Sequence, residues 1–165
     1  PTTSTTAQIA MGDALAVSLM QQRGFTSVDF ARLHPGGSLG RRLLMTVGNV
    51  MRDHDLPVVG PDCSVVEMIH TISKGGLGLI VICDGDRIEG IVTDGDIRRA
   101  MERLKGDFFN IHARDIATPH PKTIGAGEKL IEAERVMTRN KITSLLVTDE
   151  AGKLAGVIQI YDIKL

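Results

Sequence analysis

From residue 47 onward, apolar and polar positions follow the same order twice, which predicts an internal repeat. Each copy reads as a short strand, an amphipathic helix, a strand dense in aliphatic residues, a tight turn rich in Asp or Gly, and a second strand. Val65 begins a helical segment that matches the one at Leu130, and the strand at Gly90 matches the strand at Gly156. The pattern therefore predicts two β-α-β-β-α units of mixed α/β (α+β) class.

The boundaries of the predicted elements follow from turn and capping residues. Aliphatic strands are expected over residues 79–83 and 144–148, with partner strands over residues 87–93 and 153–159. In the first copy, Ser64 and Glu67 are expected to form a capping box at the start of the amphipathic helix. A further helix is expected over residues 97–104, after Asp96, and its counterpart is expected after Asp162.

Units of about 60 residues are small for an independent core, so each copy needs a partner. We expect the two sheets to pack face to face, which buries both apolar surfaces and leaves a cleft between equivalent edges. Met68 and Met137 fall on the apolar stripes of the helices and are expected in the core. The polar segment over residues 105–114 is expected to be a solvated linker between the copies.

The first 45 residues do not share the repeat. Apolar residues at four-residue spacing from Met11 predict a helix that begins after Thr5 or Thr6 and ends before Gly24. A second short helix is expected over residues 28–33, where a His-Pro-Gly-Gly sequence then breaks it. This segment is too short to hold a core of its own, so we expect the chain to be a piece of a longer protein.

Composition and charge narrow the class of protein. Apolar residues make up 42% and charged residues 24%, which is typical of a folded globular chain. The formal net charge of −1 gives no bulk attraction to nucleic acid or anionic membranes, and an aromatic content of 3% argues against base-stacking platforms. No apolar run approaches the roughly 20 residues of a membrane span. Two cysteines cannot build a disulfide framework, so we expect a cytoplasmic protein.

The histidines and cysteines do not have the spacing of a metal site. The residues in question are His54, His70, His112, His120, Cys63 and Cys83. None of them follows a Cys-x-x-Cys or His-x-x-x-His pattern, which zinc sites commonly use. We therefore expect no metal site and no required cofactor.

The strongest local cluster of chemistry lies where the first copy passes from strand to helix, in the sequence Gly-Ile-Val-Thr-Asp-Gly-Asp from Gly90 to Asp96. Glycines allow a ligand to approach the backbone closely, and the N-terminus of the following helix offers amides to a phosphate. The Asp96 carboxylate could accept from ribose hydroxyls, and the Thr93 hydroxyl could donate to a phosphate or sugar oxygen. Arg98 and Arg99 are near enough to be phosphate ligands. The alternative is that Thr93 ends a strand and Asp96 only caps a helix.

The doubled unit and its Gly-x-x-Thr-x-x-Asp signature resemble a pair of cystathionine-β-synthase-type (CBS) domains, which are regulatory modules that bind nucleotides. The resemblance covers the chain from Val47 onward. It implies that Thr93 contacts phosphate and that Asp96 contacts ribose. The second copy keeps Asp162 but carries Gln159 in place of the threonine. We therefore expect one competent site or two unequal ones.

The N-terminal segment is similar to the end of a sugar-isomerase (SIS) domain. The similarity is carried by residues 1–7, 11–16 and 29–41. In the D-arabinose-5-phosphate isomerase family, which the chain resembles, an SIS domain precedes two CBS domains. Its members interconvert D-ribulose 5-phosphate and D-arabinose 5-phosphate for Kdo and lipopolysaccharide synthesis in Gram-negative bacteria. The resemblance implies an SIS remnant over residues 1–45 and CBS domains over residues 46–106 and 107–165, the last with a truncated final helix.

The same resemblance makes His34, in the His-Pro-Gly-Gly motif, the active-site histidine of the parent enzyme. An imidazole suits proton transfer between sugar atoms near neutral pH. The alternative is a turn residue that precedes a proline. Because the rest of the sugar-phosphate pocket would precede Pro1, we expect this chain to have no isomerase activity by itself.

These resemblances imply a module that senses a nucleotide or nucleotide-sugar and signals to the SIS domain of the parent chain. Because Kdo is activated as CMP-Kdo, this end product is a candidate feedback ligand. The competing hypothesis is a ligand-free scaffold, since CBS pairs are expected to form homo-oligomers through the apolar faces of their helices. Neither hypothesis involves nucleic acid or a membrane.

Overall fold

The computed structural model describes residues 2–33 and 37–164 and divides the chain into two units, Pro1–Met45 and Thr46–Leu165. The first unit holds three helices: α1 (Thr3–Gln22), α2 (Ser27–Leu33) and α3 (Ser38–Leu44). Helix α1 ends before Gly24, which has a φ of 60° that glycine adopts without steric cost. Helix α2 begins with reciprocal capping, in which the amides of Thr26 and Asp29 each donate to the other's side chain, at 2.9 and 3.2 Å.

The first unit differs from the sequence prediction in two places. Helix α1 begins at Thr3 and not after Thr5 or Thr6, because Thr2 already has the extended backbone of a cap. Helix α3 forms in a glycine-containing stretch that predicts no helix. The predicted break at His34 lies outside the described residues. No residue of α1 is buried, and in the described ranges no helix is apolar over enough length to cross a bilayer.

The second unit contains the predicted repeat, and its strands agree with the prediction to within one residue at each end. A 3-10 helix (Val47–Asn49) precedes β1 (Val58–Val59), α4 (Val65–Gly75), β2 (Leu79–Asp84), β3 (Arg87–Thr93) and α5 (Asp94–Leu104). A second 3-10 helix (Lys105–Asn110) leads to α6 (Ala113–Ile116), β4 (Thr118–Pro119), β5 (Thr123–Gly125), α7 (Leu130–Asn140), β6 (Ser144–Thr148), β7 (Leu154–Gln159) and α8 (Ile160–Lys164).

The strands of the second unit form two sheets, ordered β1-β2-β3-β4 and β5-β6-β7. In each sheet a short parallel strand adds to an antiparallel hairpin, with Val58 opposite Val81 in one and Thr123 opposite Leu146 in the other. The β2-β3 hairpin turns at Gly85, which has a φ of 57°. The two registers are equivalent, so each residue of one repeat can be assigned a counterpart in the other.

The core follows from the alternation of side chains along β2. Ile80 and Ile82 face a buried cluster that includes Met68 of α4, whereas Leu79 and Val81 face a different one. This second cluster also contains Leu146 and Val157 of the other sheet. The expected face-to-face packing of the two sheets is therefore confirmed. Met68 and Met137 are both buried, as predicted.

The segment that precedes each repeat pairs with the other repeat. Val47 and Gly48 donate their amides to the carbonyls of Glu128 and Ala126, each at 2.8 Å. In the opposite direction, the amides of Ala113 and Arg114 donate to the carbonyls of Cys63 and Pro61, at 2.9 and 3.0 Å. Likewise β4 pairs with β3, and Arg52 forms an isolated bridge with Val157 of β7. This exchange ties the two repeats together through backbone hydrogen bonds as well as through the core.

Glycine makes the exchange possible at two equivalent positions. A Cβ on Gly90 would lie 2.8 Å from the carbonyl oxygen of Thr118, and a Cβ on Gly156 would lie 2.7 Å from that of Arg52. Gly90 thus allows a strand of the protein to approach, whereas the sequence analysis expected it to allow a ligand to approach.

Three further boundaries differ from the prediction. Residues 105–114 are not merely a solvated linker, because Phe108 is 2% exposed and packs in the cluster around Met68. Helix α5 begins at Asp94 and not after Asp96, since Thr93 is its N-cap and a carboxylate can bond back to the cap from the third helical position. For the same reason α8 begins before Asp162. In α4, the Ser64 hydroxyl accepts from the Glu67 amide at 3.3 Å, as half of a capping box requires.

Candidate functional site

A cleft of about 440 Å³ opens between the two repeats, at the end of β3 and the start of β6. Its walls combine apolar side chains, hydroxyl groups, two lysine ammonium groups and one imidazole. The lining residues are Leu77, Gly78, Leu79, Ile91, Thr93, Thr118, His120, Pro121, Lys122, Lys141, Ile142, Thr143, Ser144 and Leu146. We call this cleft A. None of these described lining residues is acidic, and within the described chain neither Lys122 nor Lys141 pairs with a carboxylate. Cleft A is therefore an amphipathic cavity suited to an anion that carries an apolar group.

Two residues of cleft A have a left-handed backbone. His120 has a φ of 52° between β4 and β5, and Lys141 has a φ of 55° at the end of α7. This conformation is uncommon for residues other than glycine and is concentrated at functional sites. The counterparts of these two residues in the other repeat, Asp55 and Gly76, are left-handed as well. The turns thus belong to the repeat, and only the side chains on them differ.

A larger depression of about 590 Å³ lies elsewhere, at the tips of the two hairpins. The ion pair between Lys153 Nζ and Asp86 Oδ2, at 2.5 Å, joins the hairpins there. Neither Thr93 nor Asp96 lines it. Cleft A is smaller but contains a residue of the signature sequence, so it is the better candidate.

Thr93 and Asp96 form a closed hydrogen-bond network at the start of α5. The Thr93 amide and hydroxyl both donate to Asp96 Oδ2, at 2.9 and 2.7 Å, and the Asp96 amide donates back to Thr93 Oγ1 at 3.3 Å. Arg99 Nη2 donates to Asp96 Oδ1 at 2.5 Å. Burial raises the pKa of Asp96, but the hydrogen bonds from Thr93 and Arg99 outweigh burial and hold the pKa below its usual value. The network fixes the Thr93 hydroxyl with its proton directed at Asp96.

Of the predicted site residues that the structure describes, Thr93 alone lies in the wall of cleft A. Asp96 and Arg99 line a separate pocket of about 410 Å³, and Arg98 is exposed. Asp162 accepts the Gln159 amide at 2.7 Å, as Asp96 accepts that of Thr93. The signature carboxylates therefore support the strand-to-helix turn directly.

The amides at the start of α5 are already used by the protein. The Asp94 amide donates to the Gly78 carbonyl at 3.1 Å, and the Asp96 amide donates to the Thr93 hydroxyl. The sequence analysis expected amides of residues 97–99 to be available, but these lie inside the helix. Cations in cleft A are consequently the better phosphate ligands.

A comparison with known families identifies the repeated unit. The family model for the CBS domain matches residues 47–103 and 113–164. The chain belongs to the CBS domain family. The crystal structure of CBSX2 in complex with AMP has a TM-score of 0.62 and 25% identity to this CBS pair, and the match covers 72% of this chain and 92% of that chain. CBSX2 is a CBS-pair protein from Arabidopsis thaliana.

Curated relatives extend the similarity to the N-terminal unit. This chain is 45% identical to arabinose 5-phosphate isomerase KpsF of Escherichia coli O6:H1 over 98% of its own length and 49% of that protein. It is 43% identical to arabinose 5-phosphate isomerase KdsD of Yersinia pestis, with the same coverage of 98% and 49%. The chain thus spans about half the length of the curated relatives it matches.

The CBS repeat contains a second set of positions equivalent to cleft A. Sheet registers and bridges assign Arg52, Pro57 and Gln159 as the counterparts of Thr118, Lys122 and Thr93, respectively. The shared positive φ assigns Asp55 and Gly76 as the counterparts of His120 and Lys141. We call the site formed by Arg52, Asp55, Pro57, Gly76 and Gln159 cleft B. None of the three cationic or ionisable nitrogen bases of cleft A is retained at its counterpart position.

Protein groups occupy the hydrogen-bonding positions of cleft B. The Gln159 side-chain amide donates to the Leu77 carbonyl and to Ser144 Oγ, both at 3.1 Å. The Arg52 guanidinium donates to the carbonyls of Gly75, His54 and Asp55, at 2.5, 3.1 and 3.1 Å. The contact from Gln159 to Leu77 joins the two repeats across cleft B, whereas the other contacts lie within one repeat.

Among the described histidines and cysteines considered as metal ligands, only His120 lines cleft A. In the residues that the structure describes, no group of three His, Cys, Asp or Glu side chains is arranged to hold a metal ion. Burial, followed by the neighbouring Glu67, raises the pKa of the Cys63 thiol to about 12. His34 lies outside the described residues.

The sequence analysis missed most of the cleft A wall. Thr118, His120 and Lys122 lie on the segment that pairs with the other repeat, and Lys141 and Ser144 lie at the α7–β6 junction. Single positions gave no sign of this, because the exchange brings them next to Thr93 only in the fold. An alignment of the two repeats would have marked the cations, since their counterparts differ.

Proposed function

We propose that this chain is a regulatory module that binds one nucleotide or nucleotide-sugar in cleft A. The observation that carries the proposal is the union, in one cavity, of apolar walls, four hydroxyl groups, two lysines and a histidine without a carboxylate. Apolar walls accept a base, and cations attract phosphate. The AMP complex of CBSX2, a structure of similar fold, supports the same class of ligand.

Within cleft A, the network at Thr93 sets the polarity of the contacts. The Thr93 proton is directed at Asp96, so the oxygen faces a ligand as an acceptor. An acceptor suits a ribose hydroxyl, whereas the family resemblance gave Thr93 to phosphate and Asp96 to ribose. We assign phosphate to Lys122 and Lys141, with Asp96 as a positioning residue. Gly90, Arg98, Arg99 and Asp162 then support the fold around the ligand.

A pair of threonine variants tests this assignment. Thr93 and Thr46 both cap a helix of the same unit through a reciprocal capping box. Only Thr93 lines cleft A, so Thr93→Ala should weaken nucleotide binding tenfold or more and Thr46→Ala should not. Calorimetric titrations with AMP, ATP, CMP and CMP-Kdo measure both variants. Absence of binding by all four to the unaltered chain, or equal affinities of the two variants, would contradict the proposal.

The parent protein is proposed to be a D-arabinose-5-phosphate isomerase of the cytoplasm. The identity to KpsF and KdsD over nearly the whole of this chain supports this assignment. Residues 1–45 are then the end of the SIS domain, His34 is its active-site histidine, and residues 46–106 and 107–165 are the CBS domains. We further propose CMP-Kdo, a product of that pathway, as the feedback ligand.

The isomerase assignment predicts that this chain is inactive alone. A coupled assay for ribulose 5-phosphate formation should give the same background rate for the chain and for His34→Ala. Turnover well above that of the variant would show that the catalytic machinery is complete. For CMP-Kdo, binding at least tenfold tighter than CMP is expected, because the sugar adds a carboxylate and hydroxyl groups as further hydrogen-bond partners for cleft A while the net charge stays about the same. Equal affinities would remove CMP-Kdo as the preferred ligand.

A second candidate function, a ligand-free scaffold for homo-oligomers, is favoured by exposed apolar side chains on equivalent helices. Val66 of α4 is 67% exposed, and its repeat counterpart Ile131 of α7 is 38% exposed. Analytical ultracentrifugation of the chain and of Val66→Glu distinguishes the two functions. If the unaltered chain forms an oligomer and binds no nucleotide, and Val66→Glu does not form that oligomer, the scaffold would be favoured. A nucleotide affinity unchanged by Val66→Glu would favour the module.

A further inference from the structure

We propose that the side chain of Gln159 blocks cleft B and so limits the CBS pair to one nucleotide. The inference rests on the proposed function for the ligand but concerns a different part of the molecule. Its observation is the Gln159 side-chain amide, which uses both of its protons within the protein: one on the Leu77 carbonyl and one on Ser144 Oγ, both at 3.1 Å.

The position of these two acceptors gives the amide its effect. Leu77 belongs to the first repeat and Ser144 to the second, and both also line cleft A. The side chain of Gln159 therefore reaches across the junction of the two repeats from the side of cleft B. At the equivalent place in cleft A, the shorter Thr93 side chain turns to Asp96 and leaves the junction open.

A ligand would have to break these contacts to enter cleft B. Displacement of the Gln159 amide leaves the Leu77 carbonyl and the Ser144 hydroxyl without this hydrogen-bond partner. Unsatisfied polar groups at a partly buried position cost free energy. A phosphate oxygen cannot take the place of the amide, because it accepts and cannot donate to the Leu77 carbonyl. A ribose hydroxyl could donate to this carbonyl, but only after the Gln159 side chain has moved away. The nearby Arg52 guanidinium is engaged by three carbonyls and is not directed at a ligand.

The first test uses no nucleotide. Proton exchange of the glutamine side-chain amides can be measured by NMR, and Gln8, Gln21 and Gln22 on the exposed helix α1 serve as internal controls. We expect the Gln159 side-chain protons to exchange with water at least tenfold more slowly than those of the three controls. Exchange at the same rate as the controls would overturn the proposal, whatever the chain binds.

The second test counts binding sites with AMP as the probe, by calorimetry at matched protein concentration. The unaltered chain is expected to bind one AMP. Gln159→Thr, which restores the threonine of the first repeat, is expected to bind a second AMP at least tenfold more weakly, because cleft B lacks the lysines of cleft A. Thr93→Gln is the reciprocal variant and should bind none. Binding of one AMP by both the unaltered chain and Gln159→Thr would overturn the proposal that Gln159 blocks cleft B. No AMP bound by the unaltered chain would instead refute the proposed use of cleft A, while the exchange measurement would still decide whether Gln159 is locked in place.

Discussion

Clefts A and B occupy equivalent positions in the two repeats, but the three basic side chains of cleft A have no basic counterpart at the same positions of cleft B. Cleft A has His120, Lys122 and Lys141, whereas the counterparts in cleft B are Asp55, Pro57 and Gly76. The backbone is shared, since both members of the pairs Asp55–His120 and Gly76–Lys141 have positive φ. A duplicated fold thus keeps its turns while the side chains on them decide whether a cavity can attract an anion.

The difference also shows how one site of a pair is converted into structure. Thr93 gives its proton to a carboxylate on the same turn, but Gln159 gives its protons to groups at the junction between repeats. The longer side chain of Gln159 makes contacts within the protein at the position where Thr93 leaves a surface open to a ligand. The same α/β framework can therefore bind on one side and hold the repeats together on the other.

The largest effect is expected in the core that supports cleft A. Phe108 is buried beside Met68, so Phe108→Ala should lower the free energy of unfolding by about 4 kcal/mol through lost burial and a cavity. Its neighbour Phe109 is 69% exposed, and Phe109→Ala is the matched control, with little expected change. Urea denaturation followed by circular dichroism measures both. Equal effects of the two variants would mean that residues 105–110 are the solvated linker after all.

A smaller loss is expected at the two crossing glycines, and it should be alike in both repeats. An added Cβ would lie 2.8 Å from the Thr118 oxygen at Gly90 and 2.7 Å from the Arg52 oxygen at Gly156. Each alanine variant should therefore lose about 2 kcal/mol of stability through overpacking. Gly60→Ala, where no atom lies within 4 Å, is the control for thermal and urea unfolding. Tolerance of alanine at only one of the two would break the symmetry of the exchange.

Removal of the cations should affect binding and leave folding unchanged. Lys141→Gln is expected to weaken AMP binding about tenfold, which corresponds to about 1.4 kcal/mol. Lys122→Gln should have a similar effect, because both lysines line cleft A without a carboxylate partner in the described chain. Lys74→Gln, in the last turn of α4, removes the same charge outside cleft A. A loss of affinity equal in all three variants would reduce the effect to net charge.

The smallest effect is expected at the two signature carboxylates. Burial raises the pKa of Asp96, but hydrogen bonds from Thr93 and Arg99 outweigh it, so the folded chain has the lower pKa. Such a group adds stability above its unfolded value of about 3.9 and loses that stability as the pH falls through the lower folded value. Asp96→Asn should cost about 1 kcal/mol at neutral pH, as loss of a cap does.

The pH dependence provides the control for this variant. The stability difference between Asp96→Asn and the unaltered chain should narrow as the pH falls below about 4, because the carboxyl of the unfolded chain takes up a proton there before that of the folded chain does. Asp162 accepts the backbone amide of Gln159, and Asp162→Asn only weakens this acceptor, so it should cost less. Thermal unfolding between pH 7 and pH 3 measures both. A constant difference for Asp96→Asn over this range would contradict the assigned pKa shift.

The elements that depend on local pattern were predictable from the sequence. The aliphatic strands at Leu79 and Ser144 and the amphipathic helix at Val65 follow from periodicity, and the structure places them as expected. The start of α5 was displaced because a carboxylate caps a helix equally well from two positions. Phe108 was missed because the few apolar residues among the polar ones of this segment follow neither a helical nor a strand period.

The candidate site was predictable only in part, because it is built from distant segments. Thr93 was found from a signature on one strand, whereas His120 and Lys141 reach it through the exchange between repeats. A doubtful second site was expected from Gln159, but its contacts with Leu77 and Ser144 depend on how the sheets meet. Residue type thus indicated which repeat differs, and packing supplied the reason.

The most direct test of the central claim is a crystal structure of the chain grown with saturating AMP. The account predicts one nucleotide, in cleft A, with its phosphate at Lys122 and Lys141 and with the Gln159 amide still bonded to the Leu77 carbonyl. A nucleotide beside Gln159 and Arg52, or cleft A without AMP in crystals that hold it elsewhere, would contradict the account.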